Sequence, residues 1–200
     1  MKEEIYKASP TVKAEIAEAK KKASKSLIWI GIISILMIFA GLTSAYVVRS
    51  DTGNWLIFEL PNTFYLSTAV IIASSLSLYV ALQMAKKNNQ KGIIYGVLVT
   101  FILGILFTYL QYLGWCQLRS VGIVFAGKAS NASGSFLYLL TFLHLAHLFA
   151  GLISLLVTLK NSIKGRYNAE NTLGLELCSI YWHFLDILWV YLFLFLLYIR

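Results

Sequence analysis

The sequence predicts an all-α integral membrane bundle of five transmembrane helices, and three observations predict it. Of its 200 residues 58% are hydrophobic and 13% are charged, and the mean hydropathy is +0.72. A soluble domain of this length needs far more charge to cover its surface. The apolar residues fall in five long runs, and a membrane span needs about 20 mostly apolar residues. Finally, lysine and arginine gather in alternate connections, as they do when successive loops lie on opposite sides of a bilayer.

A basic tail, residues 1–26, precedes the five-helix domain, residues 27–200. Within the tail Ser9 can cap a short helix, Pro10 suits its first position, and Ala, Glu and Lys fill Thr11–Lys25. Its lysines suit anionic headgroups, with docking on a partner subunit as the alternative.

The first span is Leu27–Val48. It is too long for a signal-peptide core and no small-residue cleavage site follows, so it is expected in the mature protein. Pro61 stands ahead of the second span, Phe64–Ala85, and the third is Gly92–Trp115. Membrane helices associate through close backbone approach and a few polar contacts, because lipid tails are as apolar as leucine. Small residues recur every four positions in both spans: Ala69, Ala73, Ser77, Ala81 and Ala85, then Gly92, Gly96, Thr100, Gly104 and Thr108. Each series predicts a helix–helix seam, with Ala73, Ser77, Ala81, Gly96, Thr100 and Gly104 as its packing residues.

The fourth span, Ser135–Leu159, carries His144 and His147, and the fifth, Leu177–Ile199, carries His183 and Asp186. Ionisable groups inside a span are expensive and call for a function. Each pair is three residues apart and shares a helix face. His147 lies twelve residues from one end of its span and Asp186 nine from the same side of its own, a depth difference of about 4.5 Å at 1.5 Å per residue. The four are expected to form a structural polar cluster tying the last two helices, with a proton relay as the competing role. Three histidines and one carboxylate are too few for a di-metal carboxylate bundle, and no haem pocket is evident. The fifth span is otherwise dense in aromatics; Trp182, Trp189, Phe193 and Tyr198 are expected against lipid or another subunit.

Orientation follows from charge. The tail holds Lys2, Lys7, Lys13, Lys20, Lys21, Lys22 and Lys25; the loops after spans two and four hold Lys86, Lys87 and Lys91, then Lys160, Lys164 and Arg166. The opposite face has Arg49, Arg119, Lys128 and Arg200. The excess places the N-terminus in the cytoplasm, and an odd number of spans then puts the C-terminus in the periplasm. A net charge of +8 spread this way, without a basic stripe interleaved with aromatics, does not describe a nucleic-acid interface. Cys116 and Cys178 have no CxxC spacing and are read as packing residues, not as a disulfide or metal pair.

The stretch Tyr181-Trp182-His183-Phe184-Leu185-Asp186-Ile187-Leu188-Trp189 resembles the YWHF-x-D-x-x-W signature in the last helix of cytochrome c oxidase subunit III. His144 and His147, followed by Gly151, resemble the H-x-x-H helix before it. Phe39–Tyr46 in the first span, Asn62-Thr63 with Ser74-Ser75 in the second, and Phe107 and Gln111 in the third match in family order.

The resemblance implies a bacterial five-helix form in the inner membrane, beside subunit I and other oxidase subunits of an aa3-type complex. It further implies phospholipid binding, no cofactor in this chain, and haem and copper in partner subunits. Such complexes reduce O2 in aerobic respiration and pump protons. Two departures bear on proton chemistry: Ser34-Ile35 stands where many members have Ser-Glu, and Gly114-Trp115 follows the third-span glutamine where many have a glutamate. The alternatives are subunit III of a quinol oxidase or a nitric oxide reductase-associated homologue. From a different class, a secondary transporter is disfavoured by the odd span number, the absence of proline inside the spans and the lack of a repeat.

Overall fold

The computed structural model describes residues 10–51, 55–127, 130–168 and 171–199, which form five helices: α1 (Pro10–Ser50), α2 (Asn62–Lys86), α3 (Gln90–Ser120), α4 (Ala132–Ile163) and α5 (Leu173–Tyr198). All five are long and apolar enough to cross a membrane. Each contains its predicted span or falls one residue short of it. The Ser9 cap and the charges of Lys2, Lys7, Lys128 and Arg200 lie outside the described residues.

The basic tail and the first span are one uninterrupted helix of 41 residues, not a short helix followed by a span. No glycine or proline stands between Thr11 and Ile30, and Ala, Lys and Glu are strong helix formers, so nothing breaks the chain at the membrane boundary. At 1.5 Å per residue α1 is about 60 Å long, twice the roughly 30 Å hydrocarbon thickness.

The remaining helices close a ring in which α2 packs on α3, α3 on α4, α4 on α5 and α5 on α2. The α2–α3 pair is the most extensive, and α1 lies outside against α4 and α5. The connection between α2 and α3 is the shortest, residues 87–89. Pro61 caps α2, its carbonyl accepting from Phe64 N at 3.0 Å. Asn89 caps α3 through Gly92 N at 3.1 Å, and Asn131 caps α4 through Ser133 N at 3.1 Å. After α4, Gly165 adopts φ 66° and the Arg166 amide returns to the Asn161 carbonyl at 3.1 Å, a left-handed stop that suits glycine. An ion pair between Lys25 and Glu176 at 2.7 Å ties α1 to the first turn of α5.

The small-residue ridges do not run along single seams. A step of four residues turns about 400°, so a strict i+4 series drifts by roughly 40° per step. Within α2, Ala73 is exposed on the outer face, while Ser77 and Ala81 meet α3. Within α3, Gly96 lies against Ala81, and a Cβ built on it would come within 2.6 Å of the Ala81 Cβ. Ser77 Oγ donates to the Gly96 carbonyl at 3.0 Å, and Thr100 Oγ1 to the Ser74 carbonyl at 3.4 Å. By Gly104 the ridge has turned to the bundle centre, where it meets Trp182 of α5 and Leu152 of α4.

The aromatic residues of α5 fill the core. Trp182 and Trp189 are fully buried, Phe193 is buried, and of the four only Tyr198 is exposed. The expectation of a lipid-facing aromatic helix is therefore corrected for three of them. The physical reason lies on the neighbouring helices, whose glycines and serines leave room at the centre for indole rings.

Candidate site: a polar seam at the bundle centre

The α5 stripe that begins with Trp182 organises the interior. Its ring fits between two glycines: a Cβ on Gly104 of α3 would lie 2.7 Å from it, and one on Gly151 of α4 would lie 3.2 Å away. An indole N–H buried in apolar surroundings needs an acceptor, and Trp182 Nε1 donates to Ser74 Oγ of α2 at 3.0 Å. Two turns on, Trp189 Nε1 donates to Thr68 Oγ1 of α2 at 3.0 Å. The Trp189 ring stacks on Phe64, with centroids 6.0 Å apart and planes 13° apart, and receives Phe107 edge-on at 5.1 Å.

His183 lies between these tryptophans in sequence and also turns to α2, its Nδ1 2.5 Å from Ser75 Oγ. The same hydroxyl faces the Asp186 carboxyl without closing a hydrogen bond to it. Asp186 is buried, and neither of its carboxyl oxygens has a hydrogen-bond partner among the described residues. His144 of α4 is fully buried with both ring nitrogens unpartnered in the same sense. Its contacts are rings: Trp189 at 5.2 Å, Phe107 at 6.1 Å and Phe39 of α1 at 6.5 Å.

His147 turns toward α1, 5.9 Å from the Phe39 ring, while its Nδ1 lies 2.7 Å from the Leu143 carbonyl. The Tyr181 hydroxyl donates to the His147 carbonyl at 3.1 Å. The contacts of His144 with Trp189 and of Gly151 with Trp182 set an antiparallel register that puts His147 level with Asp186. Counting along the spans sets the pair about 4.5 Å apart in depth; the packing brings them level, yet the two side chains point to different neighbours. No hydrogen bond joins any two of His144, His147, His183 and Asp186 among the described residues. Nor do three His, Cys, Asp or Glu side chains converge there as metal ligands. Cys116 is exposed, Cys178 is buried and both are free thiols.

The two buried tryptophans and His183 of α5 thus all bond small hydroxyls of α2. Residues 13–200 match the family model described as cytochrome c oxidase subunit III. The chain belongs to the cytochrome c oxidase subunit III family. It is similar to the protein named "Probable cytochrome c oxidase subunit 3" of Mycobacterium tuberculosis, 31% identical over 180 residues that cover 88% of this chain and 86% of that one. The Nocardia farcinica protein of the same name is 29% identical over 180 residues, again 88% and 86% of the two chains. Cytochrome c oxidase subunit 3 of Myxine glutinosa is 31% identical over 137 residues, 68% of this chain and 49% of that one.

In this subunit III chain several fastening residues escape a reading of ionisable groups alone. Gln111 Nε2 of α3 donates to Ser67 Oγ of α2 at 2.9 Å, and Trp115 Nε1 donates to Thr141 Oγ1 of α4 at 3.1 Å. Tyr191 of α5 reaches Thr43 of α1 at 3.3 Å. At the helix ends Thr63 bonds Gln117, and Gln90 bonds the Ser162 carbonyl. The signal available for them was chemical: each in-span Trp or Gln carries an N–H that must find an acceptor where no water competes.

Proposed function

We propose that this chain acts as the cofactor-free subunit III of an aa3-type cytochrome c oxidase in a bacterial cytoplasmic membrane. It stabilises subunit I and binds phospholipid, while haem and copper reside in partner subunits. The N-terminus lies in the cytoplasm, on the side richer in lysine and arginine, and the C-terminus in the periplasm.

The observation that carries the reading is the use made of the signature helix. Trp182, His183 and Trp189 each hydrogen-bond a small hydroxyl of α2, so the family's most specific residues serve as fasteners between helices. A chain whose in-span polar groups act in this way supports a neighbour through a rigid surface. The similarity to bacterial subunit 3 proteins over most of both chains supports the bacterial setting. Purification in native lipid tests it: the chain should co-elute with a haem-containing subunit. A copper-A subunit in the same fraction would assign cytochrome c over quinol as electron donor. A stable solitary chain carrying its own haem or metal would overturn the reading.

His144, His147, His183 and Asp186 serve packing rather than proton relay. His183 bonds α2 and the His147 carbonyl receives Tyr181, while His144 fills a ring-lined space beside Trp189. Ser34-Ile35 and Gly114-Trp115 leave no carboxylate where many relatives have one. Asp186→Asn in the assembled complex should accordingly leave the ratio of protons pumped to electrons transferred unchanged. Intact assembly and thermal stability with reduced pumping would show the relay role instead.

A further inference from the structure

One long face of the molecule takes no part in the contacts above. It is the outer side of α1, the peripheral helix, whose Phe39, Thr43 and Tyr46 turn inward to His147, Tyr191 and Phe195. On the other side, apolar and small residues recur in alternating steps of four and three: Val12, Ile16, Ala19, Ala23, Ser26 and Ile30, then Ile33 and Met37. All of them are exposed. Ile30 stands nine residues before Phe39, which at about 100° per residue is the opposite side of the helix. Steps of four and three average 3.5 residues and drift only about 20° per heptad, so this stripe keeps one face where a strict i+4 series does not. It is the a/d pattern of a coiled-coil seam.

Position along the helix decides what can cover the stripe. Lys20, Lys21, Lys22 and Lys25 are too costly for hydrocarbon, so the apolar crossing begins beyond them. The stretch from Pro10 to Lys25 adds about 24 Å of helix on the aqueous side. Lipid tails cover Ile30, Ile33 and Met37 but do not reach Val12 and Ile16, which are 41% and 40% exposed. A soluble partner reaches only that aqueous end. A single occupant of the whole stripe is a helix that, like α1, crosses the membrane and continues past it. Ala19, Ala23 and Ser26 lie between the two halves and let two backbones approach closely.

The flanking charges select the helix. With Ile16 and Ala23 at a and Val12 and Ala19 at d, Glu15 occupies a g position and Lys20 the e position of the following heptad. In a parallel pair the g residue of one helix faces that e residue of the other, so Glu15 meets Lys20 of a second copy, and symmetry makes the contact twice. Lys22, at the next g, meets Leu27 rather than another lysine. Insertion in one orientation already makes two copies parallel in the same membrane. Within a single helix Glu15 and Lys20 are five residues apart, about 140° round the axis, so they do not serve each other. We propose that α1 is a pairing helix, through which two copies of this chain associate in parallel along Val12–Met37 with their bundles on opposite sides of the seam. The pairing is separate from the polar seam inside the bundle and does not depend on which oxidase the chain serves.

The test uses the full-length chain in its native membrane, with the exposed thiol removed by Cys116→Ser. Single cysteines are placed on the stripe by Ala19→Cys or Ala23→Cys, and on the far side of the helix by Lys21→Cys, and the membranes are oxidised. Ala19→Cys and Ala23→Cys should each give a disulfide-linked band at twice the mass of the chain. Lys21→Cys should give none, because its partner then lies well beyond the roughly 7 Å that a disulfide can span between Cα atoms. In the Ala23→Cys chain, Lys20→Glu sets two carboxylates against each other at both contacts and should lower the dimer band about fivefold. Adding Glu15→Lys should restore it. All these residues are exposed, and wild-type amounts of each variant in the membrane fraction show that the fold is kept. No dimer band at Ala19 and Ala23, equal bands at all three positions, or a charge exchange that fails to restore the band overturns the pairing. A photoreactive maleimide on the same cysteines that labels a different chain in place of a second copy assigns the stripe to a partner subunit and overturns it equally.

Discussion

Trp182→Ala is expected to destabilise the bundle by about 3–5 kcal/mol, the range for removing a large aromatic from a packed interior. The ring is fully buried and touches Gly104 of α3 and Gly151 of α4 while its N–H bonds Ser74 of α2. Its loss leaves a cavity facing three helices at once. Neither glycine has a side chain to lean into that space, so relaxation recovers little. The Ser74 hydroxyl keeps its bond to the Ile71 carbonyl at 2.7 Å, which confines the damage mainly to packing. Trp182→Phe separates the terms: it keeps most of the volume and loses one hydrogen bond, worth about 0.5–1.5 kcal/mol. Thermal unfolding in detergent, followed by the fraction of chain recovered in the assembled complex, measures both. Equal midpoints for Trp182→Ala and wild type would show that α5 does not pack on α3 and α4 as described.

Gly96→Leu is the second large effect, with a cost at or above the upper end of the roughly 1–3 kcal/mol typical of overpacking. Even the first added carbon would lie 2.6 Å from the Ala81 Cβ, 3.1 Å from its Cα and 3.2 Å from the Ser77 carbonyl oxygen. Atoms fixed to a helix backbone cannot swing aside, so α2 and α3 must separate. Separation also breaks the Ser77 bond to the Gly96 carbonyl. Gly41→Leu is the matched control, because nothing lies within 4 Å of a Cβ there; it should shift stability by no more than about 0.5 kcal/mol. A cysteine pair placed across the α2–α3 seam should lose its cross-link in Gly96→Leu and keep it in Gly41→Leu.

The contrast between these glycines shows what sequence spacing can reveal. Gly31 and Gly41 of α1 face open space, whereas Gly96 and Gly104 are both packed, against different helices. A ridge read at i+4 spacing identifies small residues but overstates how far they share a face. The drift of roughly 40° per step carries Ala73 to the outside and Gly104 to the centre. The same limit applies to the histidines. Counting residues along each span sets His147 and Asp186 about 4.5 Å apart in depth, and the packing of α4 on α5 brings them level. Direction depends on how each helix is rotated about its axis, and there His183 turns to Ser75 while His147 turns to Phe39.

Five spans, the helical class and the unusual in-span residues were determined by the sequence itself. Each rests on a local property: a run of apolar residues long enough for a bilayer, or one polar side chain within it. The family followed from residue types in a fixed order. Which group answers each buried polar atom was decided only by the tertiary structure. One residue of register rotates a helical side chain by about 100°, enough to exchange one partner helix for another. Trp182 therefore reads as a lipid-facing indole in isolation. It becomes the centre of the bundle once Gly104, Gly151 and Ser74 converge on it from three other helices.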